Sequence, residues 1–223
     1  MLIAVLGTGS VGRALAGRLD ELGHTVTVGT RDPEATRTRT DDDGRATYAE
    51  WAGAHPHIGL ERFAAAAAGA ELVVNATGGD VSLDVLTLAG ADNLAGKVLL
   101  DVANPLDHSH GFPPRLFVKD ADSLAEMIQR AFPAARVVKS LNTMNADVMV
   151  RPAELPGPTS VFVSGDDAEA KQLVTGLLVA MGHTDVIDLG GLATARGAEM
   201  VLPLWISLRL HLGTNAFNFH VVR

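Results

Sequence analysis

The chain has 223 residues, a formal net charge of −8, 47% hydrophobic and 20% charged residues, and no cysteine. That length allows one sizeable core, or a nucleotide-binding unit with a small appendage, but not two full domains. The acidic balance excludes nucleic acid and anionic membrane as expected partners, since both require a basic face, and the absence of cysteine excludes disulfides, thiolate catalysis and cysteine-ligated metals.

The apolar run Leu2-Ile3-Ala4-Val5-Leu6 reads as a buried strand that feeds the turn Gly7-Thr8-Gly9-Ser10-Val11-Gly12. A strand starting at Leu2 leaves no room for a signal peptide, no apolar run approaches the roughly 18 residues of a membrane span, and a cytoplasmic protein is expected. In the Gly7-x-Gly9-x-x-Gly12 pattern each glycine has its own task. The first permits the tight turn, the second lets backbone approach a pyrophosphate, and the third allows close packing of helix on strand. Val11, Leu15, Leu19 and Leu22 then share one face of a helix over Ser10–Leu22, with Gly23 as its stop and Thr25–Val28 as a second strand. Strand, glycine turn, helix and strand in that order point to a dinucleotide site, with the phosphates on free N–H groups at a helix N-terminus.

The end of the second strand indicates which dinucleotide. An NAD site places Asp or Glu there to hold the ribose 2′-hydroxyl, whereas Thr25–Thr30 contains no acid and Arg31 follows. A hydroxyl from Thr30 and a bidentate guanidinium from Arg31 suit a 2′-phosphate, so NADP is expected. Asp32 is read instead as the N-cap of a helix that has Pro33 at its first position.

Farther on, Asp41–Gly44 reads as an acidic turn, Tyr48–Ala52 as a short helix, and Ala64–Ala68 as a helix that packs closely on a sheet. Three apolar strands then run into small polar residues: one into Asn75-Ala76-Thr77-Gly78, one into Asn104-Pro105, and one into Leu141-Asn142-Thr143. Ligands of an open parallel sheet lie beyond the carboxyl ends of its strands. Ala76, Thr77, Asn104, Pro105 and Asn142 are therefore expected around one crevice, orienting the nicotinamide carboxamide or its ribose. Asp107–Pro114 is a loop long enough to cover that crevice. Its His108 and His110 lack a third ligand at metal spacing, and no metal is expected. A helix over Ser123–Ala131 follows, with Leu124, Met127 and Ile128 inward.

The proline-bearing segment 151–158 marks a boundary. After it come a strand over Ser160–Gly165, a helix over Asp166–Met181, a strand over Asp185–Gly190 and a closing helix near Ala193–His211, which Pro203 should kink or break. Met200, Leu204, Trp205 and Leu208 of that helix read as core or dimer contacts, and an exposed patch of Leu202, Leu204, Trp205 and Leu208 makes a homodimer the expectation.

The chain resembles the family of NADP oxidoreductases dependent on coenzyme F420, a deazaflavin. The likeness is carried by Gly7–Gly12, Gly29-Thr30-Arg31, Val138–Thr143, Val163-Ser164-Gly165-Asp166-Asp167 and Asp188-Leu189-Gly190-Gly191. It is also similar to the reductase domain of membrane metalloreductases that use NADPH and a flavin. The resemblance implies a Rossmann doubly wound parallel sheet with a small C-terminal α/β extension. Residues 1–150 would bind NADP, and residues 159–223 would close the crevice in which the second cofactor stacks on the nicotinamide. Archaeal members carry His where this chain has Asn142, and a basic residue where it has Ala35.

The implied reaction is hydride transfer between NADPH and coenzyme F420 or a flavin. It needs two rings face to face at about 3 to 3.5 Å and little acid–base help, so no catalytic side chain is expected. Lys139 is the one proton-donor candidate on a crevice strand, and it reads equally as a solvated or phosphate-facing lysine. The alternatives are an NADP-dependent dehydrogenase or imine reductase of a small substrate, and a non-catalytic NADP-sensing protein.

Overall fold

The computed structural model describes residues 1–40 and 47–223, and the acidic turn expected at Asp41–Gly44 falls outside them. The opening unit forms as β1 (Leu2–Leu6), α1 (Ser10–Glu21) and β2 (Thr25–Thr30). Asp32 caps α2 (Pro33–Thr38), its carboxylate accepting from the N–H groups of Glu34 and Ala35. Then come α3 (Tyr48–Ala54), β3 (Gly59–Arg62), α4 (Phe63–Gly69) and β4 (Leu72–Asn75). The short β3 escapes sequence reading because only Leu60 of its four residues is buried, leaving no alternation to detect.

Helices α5 (Ser82–Ala89) and α6 (Ala91–Leu94) lead to β5 (Val98–Asp101). The segment read as a covering loop is rooted in a small antiparallel ribbon, β6 (Leu106–Asp107) with β7 (Arg115–Leu116). Next are α7 (Leu124–Ala131), β8 (Arg136–Ser140), α8 (Ala146–Val150), β9 (Ser160–Gly165), α9 (Ala168–Met181) and β10 (Asp185–Gly190). The closing helix is two: α10 (Ala195–Met200) and α11 (Leu202–Leu212), broken at Val201. Pro203 sits in the first turn of α11, where its missing N–H leaves no helical bond unmade.

One eight-stranded sheet runs in the order β10-β9-β8-β5-β4-β1-β2-β3. Strands β1 to β5 and β8 are parallel, β9 lies antiparallel on β8, and β10 runs parallel to β9. The chain beyond 158 thus extends the same sheet. Because helices cover both faces, the central strands are apolar throughout rather than alternating. Ile3 and Val5 of β1 point into a core with Leu15 and Leu19 of α1 and Val174 and Leu178 of α9. Ala4 and Leu6 point the other way, into Phe63 and Ala67 of α4, Leu86 of α5 and Ile128 of α7. Each such fully buried aliphatic side chain contributes about 1.5–3 kcal/mol. Among the described residues no helix is long and apolar enough to cross a membrane.

Candidate cofactor crevice

The turn between β1 and α1 is built as the glycine pattern requires. Gly7 has φ 123°, and a Cβ there would strike the Ala76 carbonyl oxygen; one at Gly12 would strike the Gly7 carbonyl oxygen. At Gly9, by contrast, no atom beyond its own chain neighbours lies within 4 Å of the position a Cβ would take. Gly9 caps α1 without a side-chain hydrogen bond, and the first turn of the helix holds no acidic residue. No side chain caps the opening N–H groups of α1 and no acid in its first turn offsets the helix dipole, which is what a pyrophosphate needs.

A cavity of about 290 Å³ opens beside this turn, beyond the carboxyl ends of β1, β4, β5 and β8. Six of the residues expected at the site line it: Ser10, Val11, Ala76, Thr77, Asn104 and Asn142. Gly7, Thr8, Gly9, Gly12, Thr30, Arg31 and Pro105 lie outside that lining. Pro105 is buried, and its carbonyl accepts from the Phe117 N–H (3.0 Å), fixing the root of the ribbon.

The polar groups at the rim are held by one another. Asn142 Nδ2 donates to Asn104 Oδ1 (3.0 Å) and to the Ala198 carbonyl (3.0 Å), while Asn104 Nδ2 donates to the Asn142 carbonyl (3.0 Å). The preceding Leu141 sits at φ 65°, a left-handed conformation that costs a non-glycine residue on the order of 1 kcal/mol. Those three hydrogen bonds hold it there. The Thr77 hydroxyl donates to Asn75 Oδ1 (2.7 Å) and lies 3.0 Å from Ser82 Oγ, so its remaining capacity toward a ligand is as an acceptor.

At the other end of the site, Thr36 Oγ1 donates to the Asp32 carbonyl (2.8 Å), so the 2.8 Å contact between Thr30 and Thr36 hydroxyls uses the proton of Thr30. Thr30 therefore builds the turn, and the guanidinium of Arg31 is exposed, with no hydrogen-bond partner among the described residues.

Lys139 is neither solvated nor phosphate-facing, which corrects both sequence readings: it is fully buried beneath the crevice floor. Its Nζ donates to Asp101 Oδ2 (2.7 Å) and to the Ala103 carbonyl, and pairs with Glu199 Oε1 (3.0 Å). Burial alone would lower its pKa, but Asp101 and then Glu199 outweigh burial and hold the ammonium above its ordinary value. Lys139 does not line the cavity, so its ammonium reaches no reacting group there.

His108, on the loop expected to cover the crevice, lines it, but sequence reasoning missed part of the lining: Asp80, Met144, Asn145, Ala146, Met149, Leu202 and Trp205. Leu202, expected on an exposed patch, is buried, and Trp205 is half-buried against the cavity. Trp205 stacks on Phe217 (centroids 5.3 Å apart), and its Nε1 is buried without a partner among the described residues. The Leu202 and Trp205 spacing of three did signal a shared helix face, but not which way that face points. No cluster of three or more His, Asp or Glu among the described residues could hold a metal ion.

Residues 2–105 match the family model described as NADP oxidoreductase, coenzyme F420-dependent. Over 100% of both chains, the fold superposes with a TM-score of 0.97 on the crystal structure of a candidate F420-dependent NADP reductase from Arthrobacter sp. FB24, at 59% sequence identity. The chain belongs to the coenzyme F420-dependent NADP oxidoreductase family. The F420-dependent NADP reductase of Methanocaldococcus jannaschii is 29% identical, with 94% of this chain and 93% of that protein aligned. The rat metalloreductase STEAP3 is 31% identical over 97% of this chain, which spans 41% of that protein's length.

Proposed function

We propose that this protein transfers a hydride between NADPH and the deazaflavin coenzyme F420 in the crevice beyond β1, β4, β5 and β8. The observation that carries the proposal is the uncapped, acid-free start of α1 at Gly9, opening directly beside a cavity rimmed by three strand ends. The residues present fit both groups. Gly7 to Gly12 shape the turn, and the N–H groups that follow Gly9 take the pyrophosphate. Arg31 takes the 2′-phosphate, and no carboxylate at the end of β2 competes for a 2′-hydroxyl.

Deeper in, Ala76 gives a flat wall, Thr77 accepts from the carboxamide, and Asn104 with Asn142 fixes the floor. Residues 1–150 supply this half and residues 159–223 the facing wall, through the side chains of Leu202 and Trp205. When bound, the nicotinamide supplies the hydride and the acceptor ring receives it. The side chains align the rings and exclude water, and none needs to move a proton. A small-substrate reductase would want a donor such as Lys139, which the buried ion network withholds.

Oligomer and location belong to the same proposal. Leu204, Leu210 and Leu212 stand exposed on α11 and suit the interface of a cytoplasmic homodimer. Light scattering of the purified chain reads that state directly. For the activity, NADPH is mixed anaerobically with the protein and, separately, F420, FMN and FAD, while nicotinamide absorbance is followed. Oxidation with F420 at saturating NADPH is the expected result. Turnover with FMN or FAD alone moves the acceptor to flavin, and bound NADPH that reacts with none of the three defeats the proposal.

A further inference from the structure

Three ionisable side chains lie together under the crevice. Asp101 is 0%, Lys139 1% and Glu199 1% exposed, and they come from β5, β8 and α10. Replacing a buried ion network by apolar side chains is often neutral or stabilising, so stability alone does not account for it. What the network touches suggests its use. Asp101 Oδ1 accepts from Asn75 Nδ2 (2.8 Å) and from the Ala103 N–H (3.2 Å). Asn75 in turn receives the Thr77 hydroxyl, while Lys139 holds the Ala103 carbonyl. The walls made by β4 and β5 are thereby tied to one node.

Glu199 ties in the remaining wall. Its carboxylate accepts from the first N–H groups of α7, at Leu124 (2.8 Å) and Ala125 (3.2 Å), while pairing with Lys139. A charge-assisted bond at a helix N-terminus is among the stronger contacts available. The adjacent Ala198 carbonyl receives Asn142 Nδ2, and one residue past α10 the chain enters α11 with Leu202 and Trp205 on the cavity.

We infer that Glu199 is a positioning residue for the hydride acceptor: by joining Lys139 to the start of α7, it docks α10 and α11 as the acceptor-side wall of the crevice. This rests on the hydride-transfer reading above for what the wall faces. The phosphate-binding part of the NADPH site, built on β1, α1 and β2, does not pass through Glu199, whereas the nicotinamide end shares Thr77 and Asn142 with the network.

Two readouts on the full-length chain test the inference, the first needing no turnover. In hydrogen exchange, Glu199→Gln should accelerate residues 195–212 about tenfold, the scale expected for losing one hydrogen bond to a charged group. Residues 2–40 should keep their wild-type rates. In steady-state kinetics the KM for F420 should rise about tenfold with the KM for NADPH unchanged. Should Glu199→Gln not fold, Glu199→Asp keeps the charge, shortens the reach and carries the same comparison with a smaller ratio. Equal acceleration of both segments, or none in 195–212, overturns the inference, as does an unchanged acceptor KM beside faster exchange. A wild-type protein inert toward F420 would remove the activity reading yet leave the exchange comparison able to decide the docking.

Discussion

Thr30 and Arg31 are consecutive in the chain but have opposite freedoms. The hydroxyl of Thr30 is nearly buried and its proton is used by Thr36, whereas Arg31 is exposed beyond the carboxyl end of β2. Nearby, Arg62 at the end of β3 stands in register with Thr30, and its guanidinium donates to the Arg31 carbonyl at 3.5 Å. A 2′-phosphate would therefore draw its charged hydrogen bonds chiefly from Arg31. Arg31→Ala should weaken NADPH binding about ten- to hundredfold, the equivalent of one or two hydrogen bonds to a charged group, while NADH binding barely changes. Fluorescence titration with both nucleotides reads this, and equal losses for the two would mean that Arg31 supports the turn rather than reads the phosphate. The missing acid on β2 was legible from sequence alone. The loss of Thr30 as a donor was not, because its partner lies six residues on, and only the folded α2 brings the two hydroxyls together.

Elements were legible in proportion to their length and to how one-sided their environment is. β1, β4, β5 and β8 announce themselves as short apolar runs because both faces are covered, and α1 and α7 through helical spacing. α8 has five residues, too few to show a period, yet Ala146 and Met149 bring it to the cavity. α2 is nearly as short, with six residues, but its cap was readable, because Asp-Pro-Glu states an N-terminus chemically rather than by periodicity. That cap has a functional consequence. Asp32 holds Glu34 and Ala35 by their N–H groups at 3.0 and 3.1 Å, and α2 in turn presents Thr36 to Thr30. Asp32→Ala should cost about 1 kcal/mol in urea unfolding, as loss of an N-cap does. It should also loosen NADPH less than Arg31→Ala does, since it removes no phosphate ligand. An NADPH loss as large as that of Arg31→Ala would place Asp32 at the nucleotide itself.

At the scale of the whole molecule, the crevice was foreseeable only on its β side. The strand ends converge by the rule for open sheets, but the facing wall depends on where β9, α9 and β10 carry the chain before α11, and that placement is tertiary. One buried histidine joins the two parts. His183 follows α9, and its Nε2 lies 3.0 Å from the carbonyl of Met149, a cavity residue on α8. With Nε2–H donating, Nδ1 carries no proton and has no partner among the described residues. Burial pushes the imidazole pKa below its ordinary 6.5, and the Met149 carbonyl offsets only part of that. As pH falls through about 6.5 the unfolded chain binds a proton that the folded chain still refuses, so stability declines by up to about 1.4 kcal/mol per pH unit until the folded group titrates too. His24 is shifted the same way, by burial and then by the N-terminal ammonium, but it is partly exposed and contributes less. Carboxylates held below their usual range, such as Glu126 by its hydrogen bond from Arg196, stabilise the fold above about pH 4.5 and lose that contribution only under stronger acid. The two windows are separable. His183→Gln can still donate to Met149 and does not titrate, so urea midpoints measured from pH 7.5 to 5 should flatten in the variant while the steeper loss at lower pH remains. If instead the decline near pH 6 persists, the proton responsible is taken up elsewhere, and the link between α8 and the end of α9 does not depend on a neutral imidazole.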